Sequence, residues 1–184
     1  MANLKLLFDN LKRIDWRLLT RPVILSVLVG LVTGSAAVLF YFATNSIEHI
    51  FLNNLAGYHP PEEGAEAVLA MGDKMIDTLA MDHRWFLFLV PIIGGLISGF
   101  LVFKYAPEAE GHGTDAAIDA FHNKGGIIRS RVPIIKGLAS MATIGTGGSA
   151  GREGPIAQIG AGFGSFIATK LRLTSADRRI LLLA

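Results

Sequence analysis

Apolar residues fall into four runs along this chain, and their lengths sort them into two kinds. The first run, Val23 to Thr44, has 22 residues and is interrupted only by small or weakly polar side chains. Pro22 opens it. The second, Phe86 to Phe103, has 18 residues, with Pro91, Gly94, Gly95 and Gly99 inside it. A helix needs about 20 apolar residues to cross a bilayer core, so both runs predict membrane spans. Trp85 starts the second, and Lys104 with Tyr105 stops it, residue types suited to the membrane–water interface. Gly30 and Gly34 form a GxxxG pair, which predicts close approach of another helix.

The third and fourth runs, Val132 to Ile144 and Ile156 to Thr169, are each too short to span. Between them lies Gly145-Thr-Gly-Gly-Ser-Ala-Gly-Arg-Glu-Gly-Pro155, which cannot be regular helix. The pattern predicts two half-helices meeting at a glycine-rich loop inside the membrane. Irregular backbone at that depth is tolerated only where it is buried in protein or lines a cavity. A broken helix of this kind is the best sequence pointer to a transport site.

Residues 1–21 read differently. Leu4, Leu7, Phe8, Leu11, Ile14 and Leu18 fall on one side of a helix, with Lys5, Lys12, Arg13, Arg17 and Arg21 elsewhere. This predicts an amphipathic helix on the cytoplasmic membrane face, followed by a membrane domain over 22–184. No apolar core of a secretory signal is present in that stretch. Basic residues gather there, between Lys104 and Lys136, and between Lys170 and Arg179, and together these clusters hold 14 of the 17 in the chain. The segment from Glu48 to Arg84 is acidic instead, with Glu62, Glu63, Glu66, Asp73, Asp77 and Asp82. Basic loops stay inside, so the N-terminus is expected in the cytoplasm and the 48–84 loop outside.

Composition agrees with a multi-pass membrane protein. Of 184 residues, 51% are hydrophobic and only 17% charged, and the mean hydropathy is +0.47. The 21 glycines concentrate in apolar stretches, where they let helix backbones approach. There is no cysteine, which excludes disulfides and thiolate metal sites. A net charge of +2 without a basic, aromatic-lined patch gives no reason to expect nucleic acid.

The densest chemical signal is Gly151-Arg152-Glu153-Gly154-Pro155. Proline is favoured in the first turn of a helix, so the second half-helix is expected to start here. Free N–H groups at a helix start, with the helix dipole, bind an anion without needing a cationic side chain. Glu153 lies where that anion would sit. An ionised carboxylate there occupies the site itself and leaves it when protonated or displaced. An ionisable side chain within the membrane is functional by default. Two other readings remain open: Glu153 pairs with Arg152 as a structural ion pair, and Arg152 supports the loop or attracts anions.

A second glycine cluster, Gly111-His112-Gly113-Thr114-Asp115, follows the second span. Thr114 or Asp115 could cap a short helix running to His122. If its N-terminus points inward, it offers a second set of N–H groups to the same anion, although a Gly-His-Gly turn also reads simply as a turn. His49, His59, His83 and His122 lack metal-ligand spacing, so neither a metal nor a cofactor is expected. Residues 145–150 match a loose dinucleotide fingerprint, but no strand precedes them and no Gly-Lys-Ser/Thr closes them. Ser149 has no histidine near it in sequence, so an enzyme is poorly supported.

The run Ile144-Gly-Thr-Gly-Gly-Ser-Ala-Gly-Arg-Glu-Gly-Pro-Ile-Ala-Gln-Ile-Gly160 resembles the GxEGP signature of the CLC chloride channels and proton-coupled chloride exchangers. The order of spans and motifs fits that family over nearly the whole chain. The resemblance implies an all-α, polytopic fold, the first of two inverted repeats, with re-entrant half-helices. It implies that Glu153 is the gate that competes with the anion and, in exchangers, carries the proton. Gly154, Pro155 and Ile156 then belong to the helix start facing the anion, with Arg152 beside them. Chloride is the implied transported ion, with protons, the lipid bilayer and a second copy of the chain as partners.

Two departures qualify it. The family's other anion motif is commonly Gly-Ser-Gly-Ile-Pro, where the serine hydroxyl holds the anion. Here His112 stands for the serine, and Thr114-Asp115 for Ile-Pro. The positions Gly111, His112 and Gly113 carry over, but the hydroxyl chemistry does not, which leaves nitrate or fluoride as an alternative ion. The chain also stops at Ala184 within an apolar run, just after the capping-box-like Thr174-Ser-Ala-Asp177. A C-terminal half carrying the second repeat is therefore expected to be missing. A membrane scaffold without transport is the alternative of a different class.

Overall fold

The computed structural model describes residues 16–57 and 84–184, and among these every regular element is helical. Helix α1 covers Trp16–Glu48 and runs on without a break into π-helical turns over His49–Leu55. Helix α2 is Arg84–Tyr105, followed by a 3₁₀ turn over Pro107–Ala109. Then come the short α3 (Thr114–His122), α4 (Arg131–Gly145), α5 (Glu153–Lys170) and α6 (Ser175–Leu183).

Two of these are long and apolar enough to cross a membrane: 34 residues over Pro22–Leu55 and 21 over Trp85–Tyr105. Only 11% and 17% of their apolar windows are buried by the rest of the chain. The core helix of a soluble protein would be mostly buried, so these exposed apolar faces fit lipid or further membrane protein. The second span lies within two residues of its expected bounds at each end. The first corrects expectation. Pro22, which opens the apolar run, sits inside one continuous helix that is already present from Trp16 and runs past Thr44 to Leu55. A proline forfeits one N–H bond to the residue four back, a loss that membrane helices tolerate when neighbours re-satisfy the freed carbonyl. The N-terminal helix and the acidic outer loop fall, over residues 1–15 and 58–83, outside the described residues.

The third and fourth apolar runs form two separate helices, α4 and α5, joined by residues 146–152. They lie side by side and antiparallel: Gly162 packs on Pro133 and Gly137 on Ile159, so partners run in opposite directions. At the end of α4 the amides of Gly147 and Gly148 fold back onto the carbonyls of Ile144 and Thr143, 2.9 and 2.8 Å away. Those bonds satisfy carbonyls that the last turn leaves open and end the helix.

Helix α6 begins with the expected cap. The Thr174 hydroxyl accepts from the Asp177 amide at 3.2 Å and donates to the Asp177 carboxylate at 2.8 Å. Its Leu181 is fully buried with Val29 of α1 and Ala168 of α5, which ties α1 to α5. Buried Ser165 on α5 donates to the Gly126 carbonyl at 2.7 Å and accepts from the Ile128 amide at 2.8 Å. That pins the loop entering α4 against α5. The packing fixes how α3 and α5 meet, which is what matters for the site.

Candidate anion site

The two glycine motifs, about 40 residues apart in sequence, touch through their backbones. A β-carbon on Gly154 would collide with the His112 carbonyl oxygen. One on Gly113 would meet the Gly154 carbonyl oxygen at 2.7 Å and the Gln158 Oε1 at 2.9 Å. Only residues without side chains permit so close an approach. Gly113 also has φ +101°, outside the range comfortable for other residues. It is the N-cap of α3. Thr114 and Asp115 are therefore not caps: they form the first turn of the helix, and no side chain caps it.

Against this seam lies a cleft of about 1110 Å³. Gly111 and His112 line it from one side, and Arg152, Glu153, Gly154 and Pro155 from the other. The start of α5 offers the amides of Glu153 and Gly154, which have no partner within the helix. Pro155, at the third position, is buried and has no N–H to give. Ile156 is half-buried and does not line the cleft, and its amide donates to the Arg152 carbonyl at 3.3 Å. Gly113 is buried behind the cleft wall.

The Glu153 side chain is exposed to the cleft and makes no ion pair or side-chain hydrogen bond among the described residues. The Arg152–Glu153 pair left open by the sequence does not form. Instead the Arg152 guanidinium lies 3.2 Å from the Glu48 carboxylate and 5.0 Å from the centre of the Tyr41 ring.

Among the cleft residues that sequence reasoning missed is a buried cation. Lys136 was grouped with the basic residues of a cytoplasmic loop, yet it lies on α4, 5% exposed, and lines the cleft. Its ammonium donates to the Ala109 carbonyl at 3.1 Å and to the Gly111 carbonyl. Two carbonyl dipoles make burial of this cation affordable without a carboxylate. A signal was present: Lys136 is the single charge between Val132 and Ile144. The reach of its side chain from α4 across to the 109–111 turn is a tertiary fact. Gln158, fully buried one turn below Pro155, donates to the Glu108 carbonyl at 3.2 Å and holds that same turn against α5.

A cleft that joins two backbone-close glycine motifs, a helix start, a buried cation and a free carboxylate is equipped to take up a small anion. A family-model match falls on the same residues. The family model described as voltage gated chloride channel matches residues 94–184, which hold both glycine motifs, Lys136 and Glu153. By this match the chain belongs to that family.

The H(+)/Cl(-) exchange transporters ClcA of Salmonella arizonae and Salmonella paratyphi B are each 36% identical over 107 residues, covering 56% of this chain. That stretch is 23% of each relative, so the chain spans about a quarter of the length of the curated relatives it matches. No solved structure matches. The two exposed apolar helices fit membership of a membrane-protein family. The first span lies outside the matched family segment, so the contact of Arg152 with Glu48 joins a residue inside that segment to one before it.

Proposed function

We propose that this chain is the N-terminal part of a chloride-transporting membrane protein in which Glu153 is the gate. The observation that carries the reading is the backbone seam of His112 and Gly113 against Gly154, which brings two helix starts to one cleft. Chloride, entering as the transported ligand without any cofactor, is held by the free amides of Glu153 and Gly154 and drawn in by Lys136. An ionised Glu153 competes for the same place. Protonation or displacement of that side chain opens the site. The names of the relatives favour exchange of chloride for protons over a channel, with Glu153 carrying the proton.

The rest of the reading follows the family. The α4–α5 hairpin enters the membrane part-way, so that residues 146–152 reach the middle of the bilayer. The N-terminus faces the cytoplasm, and a second inverted repeat in the whole protein completes the pathway. Two copies form a dimer with one pathway each.

The test is chloride efflux from liposomes holding the whole protein, with external pH recorded at the same time. Efflux with proton uptake is expected. The variant Glu153→Gln is expected to keep anion binding and to lose both pH-dependent gating and proton coupling. Proton coupling that survives this substitution would remove the role assigned to Glu153. A second reading, transport of nitrate or fluoride, is favoured by one observation: an imidazole, His112, lines the cleft where the family commonly has a hydroxyl.

A further inference from the structure

We propose that Glu48 is a positioning residue for the gate: it holds Arg152 away from Glu153 and so leaves the gating carboxylate without a cationic partner. The inference rests on the reading of Glu153 as the gate.

Arg152 is the N-cap of α5, immediately before Glu153. Adjacent opposite charges attract, the more so where water is partly excluded. Yet the guanidinium is turned to α1, where it meets two side chains. The Glu48 carboxylate lies 3.2 Å from Nη2, and the Tyr41 ring lies under the guanidinium carbon at 5.0 Å. Tyr41 and Glu48 are seven residues apart, two helical turns, so they share one face of α1. A carboxylate and an aromatic face together hold a guanidinium more firmly than either alone. Both charged side chains are largely buried, at 25% and 22% exposed, so this pair is shielded from the screening that weakens surface ion pairs. Glu48 is also the last α-helical residue before the π-helical turns, a backbone feature frequent at functional sites.

The other charged and titratable groups at the cleft do not do this. From α4 comes Lys136, held by the carbonyls of Ala109 and Gly111. The turn before α3 contributes Glu110 and His112. Helix α2 contributes none, presenting Gly95, Ser98, Gly99, Val102 and Phe103. Arg152 is thus the cation beside Glu153 whose direction is set by a side chain outside the cleft. Once released, it has Glu153 as its neighbour. A guanidinium beside a carboxylate keeps it ionised to lower pH, and a gate kept ionised stays closed to lower pH.

The experiment measures chloride transport by the whole protein in liposomes as a function of pH on the Glu153 side. The variants are Glu48→Ala, Glu48→Gln, the double variant Glu48→Ala/Arg152→Gln, and Glu153→Gln as reference. In Glu48→Ala the pH midpoint is expected to move to lower pH by about one unit. Adding Arg152→Gln is expected to move it back. Glu48→Gln is nearly isosteric and keeps an acceptor for Arg152, so it serves if the alanine variant does not fold, with a smaller shift in the same direction. A rate that falls in Glu48→Ala with the midpoint unmoved means that Glu48 only braces the fold, and overturns the inference. A midpoint shift that persists in the double variant also overturns it, because Arg152 is then not the agent. If Glu153→Gln leaves the pH dependence intact, the gate reading fails, and this inference with it. If Glu153→Gln removes the pH dependence while the Glu48 variants keep the wild-type midpoint, this inference alone fails.

Discussion

The carbonyl oxygen of His112 stands where a β-carbon on Gly154 would have to go. The obstacle is backbone held by the start of α3, so it cannot rotate aside as a long side chain could. Gly154→Ala is expected to destabilise the protein by about 1–3 kcal/mol through overpacking, and to weaken chloride binding because the two motifs are forced apart. Thermal unfolding and chloride titration calorimetry check the two effects. An alanine variant with unchanged melting temperature and chloride affinity would show that the seam has room for a methyl group.

Lys136 supplies positive charge to the cleft and closes the Ala109 and Gly111 carbonyls. Lys136→Met keeps much of the volume and removes both contributions. Chloride affinity should fall by tenfold or more, roughly the 1–3 kcal/mol expected when buried acceptors lose their donor and an attractive charge is lost. Calorimetry with chloride measures it, and equal affinity would mean that Lys136 serves the fold alone.

His112 lines the cleft in place of the family's common serine. His112→Ser is expected to change the order of preference among chloride, nitrate and fluoride in liposome flux assays. The same order in both proteins would take the imidazole out of the selectivity argument and return it to the backbone.

Glu108 lies outside the spans, in the 3₁₀ turn. A hydrogen bond from its own backbone amide holds its carboxyl below the ordinary value of 4.5, aided by the Arg129 guanidinium 2.7 Å away and opposed by slight burial. A carboxylate depressed in the folded state stabilises above its unfolded value and loses that contribution as pH falls through the folded one. Melting curves of the protein and of Glu108→Gln should therefore differ by a constant, small amount at neutral pH. The gap should close only below 4.5. A gap that closes well above that value would mean that these bonds do not form in solution.

Much of the helix pattern was readable in the chain because its causes are local. Run length defined α2 to within two residues at each end. The helices expected over 132–144 and 156–169 occur as Arg131–Gly145 and Glu153–Lys170, since glycine and proline punctuate the backbone wherever they stand. The cap at Thr174 needs only Asp177, three residues on. Where reading failed, the cause lay outside the window. Pro22 opens the apolar run, but no separate helix begins there: one helix passes through it from Trp16. Thr114 and Asp115 are good capping types, yet Gly113 took the position because only a residue without a side chain fits against Gly154 and Gln158.

The sequence by itself determined where the helices lie (though not that the first runs on to Leu55), where the fourth run is broken from the third, and which carboxylate stands at that break. Those follow from periodicity, run length and backbone permissiveness, properties of neighbours along the chain. Tertiary structure decided the partners. It turned Lys136 from a supposed loop cation into part of the cleft, brought His112 onto Gly154, and gave Arg152 to Glu48, 104 residues away, instead of to the glutamate beside it. A charge chooses its partner by distance and burial in three dimensions, and no spacing along the chain encodes either.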